Sequence, residues 1–182
     1  VVTNYIKSTN DKSIRLINHV VNKGKGASIQ SAIPYIEGDL TIFQDADMEL
    51  DPNQIELLIH QMVNSGVNVV YGNRFANPSE HNRWSTYYII NKFLTRLSNL
   101  KTGLRISDME CCYKLIESEL LKSIDLQEQR FGIEPEITAK LKKLPISSFS
   151  EYPITYRRRT YDDGKKIGWK DGARTIYCIL KY

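Results

Sequence analysis

Four carboxylates fall at every second position of residues 45–51, Asp45, Asp47, Glu49 and Asp51, directly after the apolar run Leu40, Thr41, Ile42 and Phe43. Acids packed this closely repel one another unless a positive charge sits among them, and the usual remedy is a hard divalent cation with oxygen ligands. A merely solvated acidic turn is the alternative. With Glu56, the same acids occupy positions 1, 3, 5, 7 and 12 of an EF-hand calcium loop. That register fails where the turn requires glycine, since Leu50 stands there. It fails again at Pro52, and the residues ahead of it read as a strand rather than a helix.

Other charged groups could join such a site. The stretch NKGKG, residues 22–26, places Lys25 between a strand and a helix, where glycines and lysines can cradle phosphate. The Walker pattern GxxxxGK[ST] is not met, and a plain turn fits the same letters equally well. Arg74 closes the run VNVVYGNRF, and the acid pair Asp108 and Glu110 stands just ahead of CCYKLI. Glu134 and Glu136 flank Pro135 at a helix start, where acids complement the helix dipole as readily as they do chemistry. Arg157, Arg158 and Arg159 end the stretch ISSFSEYPITYRRR. His19, His60 and His81 are isolated by spacing and read as structural or exposed.

The elements that must position these groups alternate in kind. Residues 1–9 have helical spacing, residues 13–21 (SIRLINHVV) read as a strand, and a helix follows from near Gly26 with a kink or end at Pro34. Residues 40–43 suit a strand covered on both faces. Pro52 then sits at a helix start, with Ile55, Leu58, Ile59, Met62 and Val63 at helical spacing up to Gly66. Residues 67–75 form the next strand, 76–83 a polar loop, and 84–100 an amphipathic helix whose Trp84, Tyr87 and Tyr88 suit core packing or a membrane interface. A strand at CCYKLI, a short helix at ESELLKSI, a helix through residue 144, a strand ending at the arginines, and a charged loop over 161–168 complete the pattern. Residues 169–182 form a closing helix with Trp169, Ala173, Ile176, Tyr177 and Leu180 on one stripe, the pattern of a membrane-interface helix or of a packed terminal one. Such alternation predicts an α/β fold with a mainly parallel sheet, whose ligands bind at the carboxyl ends of the strands, where Asp45, Asp47 and Arg74 all fall.

Bulk properties narrow the class. At 182 residues and 41% hydrophobic the chain can bury one core. It contains no run of about 18 apolar residues for a membrane span. Cys111, Cys112 and Cys178 form no CxxC pair, and the odd count argues against a disulfide framework and for a reducing, cytoplasmic setting. From Pro153 onward eight Lys or Arg face three Asp, a net of +5 against +4 for the whole, so the basicity belongs to the tail. That points to an anionic partner such as phosphate or a membrane surface.

In this order, NKGKGASIQSAI, FQDADMELDP, VVYGNRF, SDMECCYKLI, RFGIEPEITAKL and YRRRTYDDGKKIGWKDG resemble a family 2 glycosyltransferase of the GT-A fold, in the branch of dolichyl- or polyprenyl-phosphate sugar synthases. The resemblance implies a Rossmann-like three-layer sandwich with a mainly parallel mixed sheet over residues 1–168, and the amphipathic helix 169–182 after it. It implies that Asp45 and Asp47 are the DxD pair holding Mg²⁺ or Mn²⁺ on the diphosphate of a UDP- or GDP-sugar, that Glu49 can add a ligand, and that Lys25 lies near the nucleotide. Arg74 is implied to bind phosphate of donor or acceptor, Arg157, Arg159 and Lys165 to hold the lipid phosphate, and Asp108 to line the acceptor side, so Asp108 and Arg74 are the catalytic candidates. The implied reaction inverts the anomeric carbon. A peripheral place on the inner face of the cytoplasmic membrane, an optional homo-oligomer and no nucleic-acid partner follow from the same likeness. Family members begin with a strand, a YNE-type turn, a helix and a strand ending in DDGS, none of which precedes Val1. The N-terminal βα units are therefore expected to be missing, and these residues alone to be inactive or poorly folded. A sugar-phosphate nucleotidyltransferase and a membrane-docked lipid-phosphate-binding module without activity are the rival expectations.

Overall fold

The computed structural model describes residues 2–76, 85–158 and 168–182. Its helices are α1 (Val2–Thr9), α2 (Lys25–Ala32), α3 (Ile55–Ser65), α4 (Thr86–Thr102), α5 (Ser118–Ser123), α6 (Ile133–Lys143) and α7 (Trp169–Lys181). Its strands are β1 (Leu40–Ile42), β2 (Val69–Asn73), β3 (Lys114–Glu117) and β4 (Phe149–Pro153), in the sheet order β1-β3-β2-β4. β3 pairs antiparallel with both β1 and β2, while β4 pairs parallel with β2. Hence β1, β2 and β4 run the same way and deliver their carboxyl ends to one edge. The expected direction of the strands holds, and β3, inserted against them, makes the sheet mixed.

Side chains alternate across the sheet, which therefore needs cover on both faces. Val69, Tyr71 and Ile116 point to one side, where Leu94 of α4, Ile133, Ile137 and Leu141 of α6 and Ile179 of α7 close a core. Val70 and Leu115 point to the other, against Leu58 and Met62 of α3. The result is three layers, helices, sheet, helix. Helix ends carry the expected signals: the Asp51 side chain accepts from Asn53 N ahead of α3, and Gly66 and Gly103 adopt left-handed φ of 60° and 72° after α3 and α4. α2 passes into a 3₁₀ turn, Ile33–Tyr35, at Pro34.

One expectation fails. Residues 14–21 are not a strand, although their letters favour one. A strand needs a neighbour to take its ladder bonds, none lies beside this stretch among the described residues, and Val20 is wholly exposed. The helix at 169–182, α7, is packed on the domain. Thr175, Cys178 and Ile179 of α7 are buried, and Arg174 forms a double hydrogen bond to the buried Glu128 at 2.8–3.0 Å. Its packing against α4 and α6 makes it a wall of the domain. All three cysteines are buried free thiols. No helix among the described residues is long and apolar enough to cross a membrane.

Candidate functional site

The acidic stretch leaves β1 and turns back on itself through Met48, whose φ of 62° is left-handed. Three of its acids are pinned, each differently. Asp47 Oδ1 accepts from Glu49 N at 3.1 Å, Glu49 Oε2 accepts from the Tyr156 hydroxyl at 2.9 Å, and Asp51 caps the turn into α3. Arg157 N donates to the Glu49 carbonyl at 2.9 Å, which ties the loop to the segment after β4. Glu56 lies on α3 beside His60, so the calcium-loop register has no common centre.

Asp45 faces a second network. Lys25 Nζ sits 2.9 Å from Asp45 Oδ2 and 2.8 Å from Glu134 Oε1, while the wholly buried Lys114 donates to the other Glu134 oxygen and to the carbonyls of Met109 and Cys111. Burial raises the Glu134 carboxyl, but the ammoniums of Lys114 and Lys25 outweigh it and hold it below its usual value. Burial lowers the Lys25 ammonium, and Glu134, Cys112 and Asp45 together lift it well above the ordinary range. Lys25 is thus a fixed cation. It opens α2, and Gly24 and Gly26 let that helix end approach residues 128–130: a Cβ on Gly26 would stand 1.9 Å from the Glu128 carbonyl oxygen. The glycines of NKGKG serve this close approach, and Ala27 N is already taken by the Gln129 carbonyl at 2.9 Å. Glu136, by contrast, is structural, accepting from Gln127 N and Glu128 N at 2.8 Å each.

Arg74 follows β2 and is buried, as is Asp108. The two form a bidentate pair, Nε to Oδ2 at 2.7 Å and Nη2 to Oδ1 at 2.8 Å, with Arg74 N adding a third bond to Oδ2 at 3.0 Å. Asp108 offsets the effect of burial and keeps the guanidinium charged well beyond the usual range. Arg74 Nη1 donates to the Tyr87 hydroxyl at 2.5 Å, Tyr87 donates to the Tyr156 hydroxyl at 3.4 Å, and Tyr156 donates to Glu49. The rings of Tyr87 and Tyr156 stack at 6.3 Å, and the Arg158 guanidinium lies 4.6 Å over Tyr87.

These groups line one cavity of about 1410 Å³. Lys25, Asp45, Asp47 and Glu49 stand on its wall, as do Arg74, Tyr87, Tyr156 and Arg158, with the start of α7 closing a side. The structure therefore brings together five of the residues to which the resemblance gave a role, Lys25, Asp45, Asp47, Glu49 and Arg74, and adds Glu110, Glu134 and Arg158 to the same lining. Asp108 is enclosed, is not among the residues lining the cavity, and has both oxygens bonded to Arg74. Arg157 stands off the cavity and contributes its backbone N to the acidic loop, while Arg158 lines the wall. Arg159 and Lys165 lie outside the described residues. Tyr156 had no role assigned from sequence; Tyr87 was read as core or membrane-facing, Arg158 only as part of the arginine run, and Glu134 as a helix-start acid equally able to do chemistry.

Among the described residues no three His, Cys, Asp or Glu side chains converge as a ready metal cage. The donor set nonetheless fits a divalent ion of the magnesium kind, which takes one or two carboxylates and completes its shell with phosphate oxygens and water. Asp45 and Asp47 supply such a pair at the cavity wall.

The family described as Glycosyl transferase family 2 matches residues 1–125. A dolichyl-phosphate beta-glucosyltransferase of Trichomonas vaginalis is 30% identical over 177 residues, covering 92% of this chain and 51% of that protein. The dolichol-phosphate mannosyltransferase of Pyrococcus furiosus is 24% identical over 174 residues, covering 93% and 48%. The chain thus spans about half the length of these relatives. Among solved structures, glucosyl-3-phosphoglycerate synthase from Mycobacterium tuberculosis, in complex with Mn²⁺, UDP and phosphoglyceric acid, superposes with a TM-score of 0.63 at 15% identity, covering 93% of this chain and 55% of that one. That likeness shows a shared GT-A fold.

Proposed function

This chain belongs to glycosyltransferase family 2, and we propose that its cavity transfers a sugar from a nucleoside diphosphate sugar to a polyprenyl phosphate, with inversion at the anomeric carbon. The observation that carries the reading is a single cavity with two cationic ends, Lys25 beside the acidic loop and Arg74 with Arg158 beyond it. Two anionic groups must meet in such a reaction, the donor diphosphate and the acceptor phosphate. The relatives named as dolichyl-phosphate and dolichol-phosphate sugar transferases support that choice of acceptor.

In this reading Asp45 and Asp47 hold Mg²⁺ or Mn²⁺ against the diphosphate of a UDP- or GDP-sugar. The ion, when bound, neutralises charge on the departing nucleoside diphosphate. Lys25, fixed by Glu134, adds a second positive charge at that end. Glu49 steadies the loop through Tyr156. At the other end Arg74 and Arg158 orient the acceptor phosphate. A phosphate oxygen is already an anionic nucleophile, so orientation and charge neutralisation matter more than a general base. That agrees with a site in which the conspicuous buried acid, Asp108, is locked onto an arginine. The basic tail and the outward Tyr177 and Leu180 of α7 support a peripheral place on a membrane surface, where the lipid acceptor resides.

The test is transfer of labelled sugar by the complete protein from a panel of UDP- and GDP-sugars to polyprenyl phosphate, with and without Mn²⁺. Formation of a sugar-phosphoryl lipid that depends on the cation is expected. No transfer from any donor in the panel would overturn the proposal.

A further inference from the structure

Among the described residues, one carboxyl oxygen at the cavity stands apart from the paired acids around it. Asp108 is taken by Arg74, and Glu134 by Lys25 and Lys114. Glu110 lines the cavity, yet its Oε1, shielded from solvent, has no hydrogen-bond partner among the described residues. A polar atom shielded from water without a partner is costly to a fold and calls for a role. The charges it senses most strongly are those of Glu134 on α6, Lys114 on β3, Arg74 after β2, and Asp108 in its own segment. Glu110 thus stands between the network that holds Lys25 at the donor end and the Arg74 pair at the acceptor end. That is where the sugar itself must pass.

Resting on the donor assignment above, we propose that the Glu110 carboxyl grips a hydroxyl of the sugar being transferred and so helps to select it. The other occupants fit less well. A phosphate would meet three acids there, Glu110, Glu134 and Asp108. A cation would face Lys114 and Arg74, which already supply positive charge. A proton acceptor is not required by a phosphate nucleophile. A sugar hydroxyl is neutral and can both donate and accept. Burial, reinforced by Glu134, pushes the Glu110 carboxyl up to about 7, against the pull of Lys114 and Arg74. Near neutral pH it can therefore also offer both a donor and an acceptor.

The test compares affinities of the protein, with Mn²⁺, for UDP, GDP, UDP-glucose, GDP-mannose and the monodeoxy analogues of whichever sugar nucleotide binds tighter. In the unmodified protein at least one monodeoxy analogue is expected to bind about tenfold more weakly than its parent, the scale of one lost hydrogen bond. Glu110→Ala should close that gap and leave UDP and GDP affinity unchanged, and Glu110→Gln, which keeps a donor and an acceptor, should preserve most of it. A flat deoxy series in the unmodified protein overturns the inference whether or not the variants fold. Equal weakening of nucleoside diphosphate and sugar nucleotide by Glu110→Ala overturns it too, because the residue would then be structural. If neither UDP nor GDP binds at all, the donor assignment itself falls and takes this inference with it.

Discussion

Replacing Asp108 with Asn separates two roles that a buried acid beside an arginine can have. Asn keeps the shape and can still accept from Arg74 N, but its amide presents donors to the donors of the guanidinium. Among the described residues Arg74, 8% exposed, is then left with no counter-ion, its guanidinium held by Tyr87, a long contact to Asn91 and the faces of Phe75 and Tyr156 at 5.2–5.3 Å. Breaking one side of a buried pair destabilises by about 3–5 kcal/mol, whereas replacing both sides by apolar residues is often close to neutral. Asp108→Asn should therefore lower the urea midpoint severely, and Arg74→Met with Asp108→Leu should recover most of it. In any Asp108→Asn protein that still folds, the acceptor KM should rise more than kcat falls, because a loosened Arg74 orients phosphate poorly. The shape of the pH–rate profile should stay the same. A variant of unchanged stability that loses the acidic limb of that profile would refute the positioning role and make Asp108 a general base.

Three further outcomes follow from the same geometry. Glu110 ionises near 7 in the folded protein against a usual 4.5, so the native state keeps a proton that the unfolded chain releases in this window. Stability should accordingly fall as pH rises from 4.5 to 7, and Glu110→Gln should flatten that slope and be more stable above pH 7 by about 3 kcal/mol at most; an unchanged slope in pH-dependent urea melts would contradict it. Lys114→Met strips Glu134 of its wholly buried partner and should destabilise by about 3–5 kcal/mol, while Lys25→Met, on the cavity side, should chiefly weaken UDP binding, by about tenfold. Calorimetry and melts on both variants would expose a reversed pattern. Asp47→Asn should abolish any strengthening of UDP binding by Mn²⁺, and retention of that effect would remove Asp47 from the proposed cation site.

Sequence carried the frame of this molecule well where chemistry and fold demand the same letters. An apolar run ending in acids, and another ending in Gly-Asn-Arg, must be strands whose ends carry charge, and β1 and β2 do bring Asp45 and Arg74 to one cavity. It carried less where only topology decides. Asp108 and Glu110 stand two residues apart in one short stretch, and nothing local says that the first meets Arg74 while the second faces the cavity. Tyr87 and Tyr156 meet across 69 residues, and their contact depends on α4 and the end of β4 arriving together. The strand-like letters of 14–21 show the converse, a local preference left unexpressed for want of a neighbour.

The alternating acids themselves change meaning once the fold is known. Their even spacing suggested one shared centre, yet the four side chains have four tasks. Asp45 meets Lys25, Asp47 shapes the turn while facing the cavity, Glu49 receives Tyr156, and Asp51 starts α3. Mutual repulsion is thus eased by separate partners before any cation is invoked. It also gives the loop a link to the far end. The chain of hydrogen bonds from Arg74 through Tyr87 and Tyr156 to Glu49 joins the two ends of the cavity. Phosphate drawing on Arg74 at one end would therefore be felt by the loop that carries Asp45 and Asp47 at the other. Tyr156→Phe, which removes the hydroxyl bonded to Glu49 and keeps the stacked ring, should uncouple the ends: acceptor phosphate should alter Mn²⁺-dependent UDP affinity in the unmodified protein and cease to do so in the variant. Equal coupling in both proteins would show that the link is only structural.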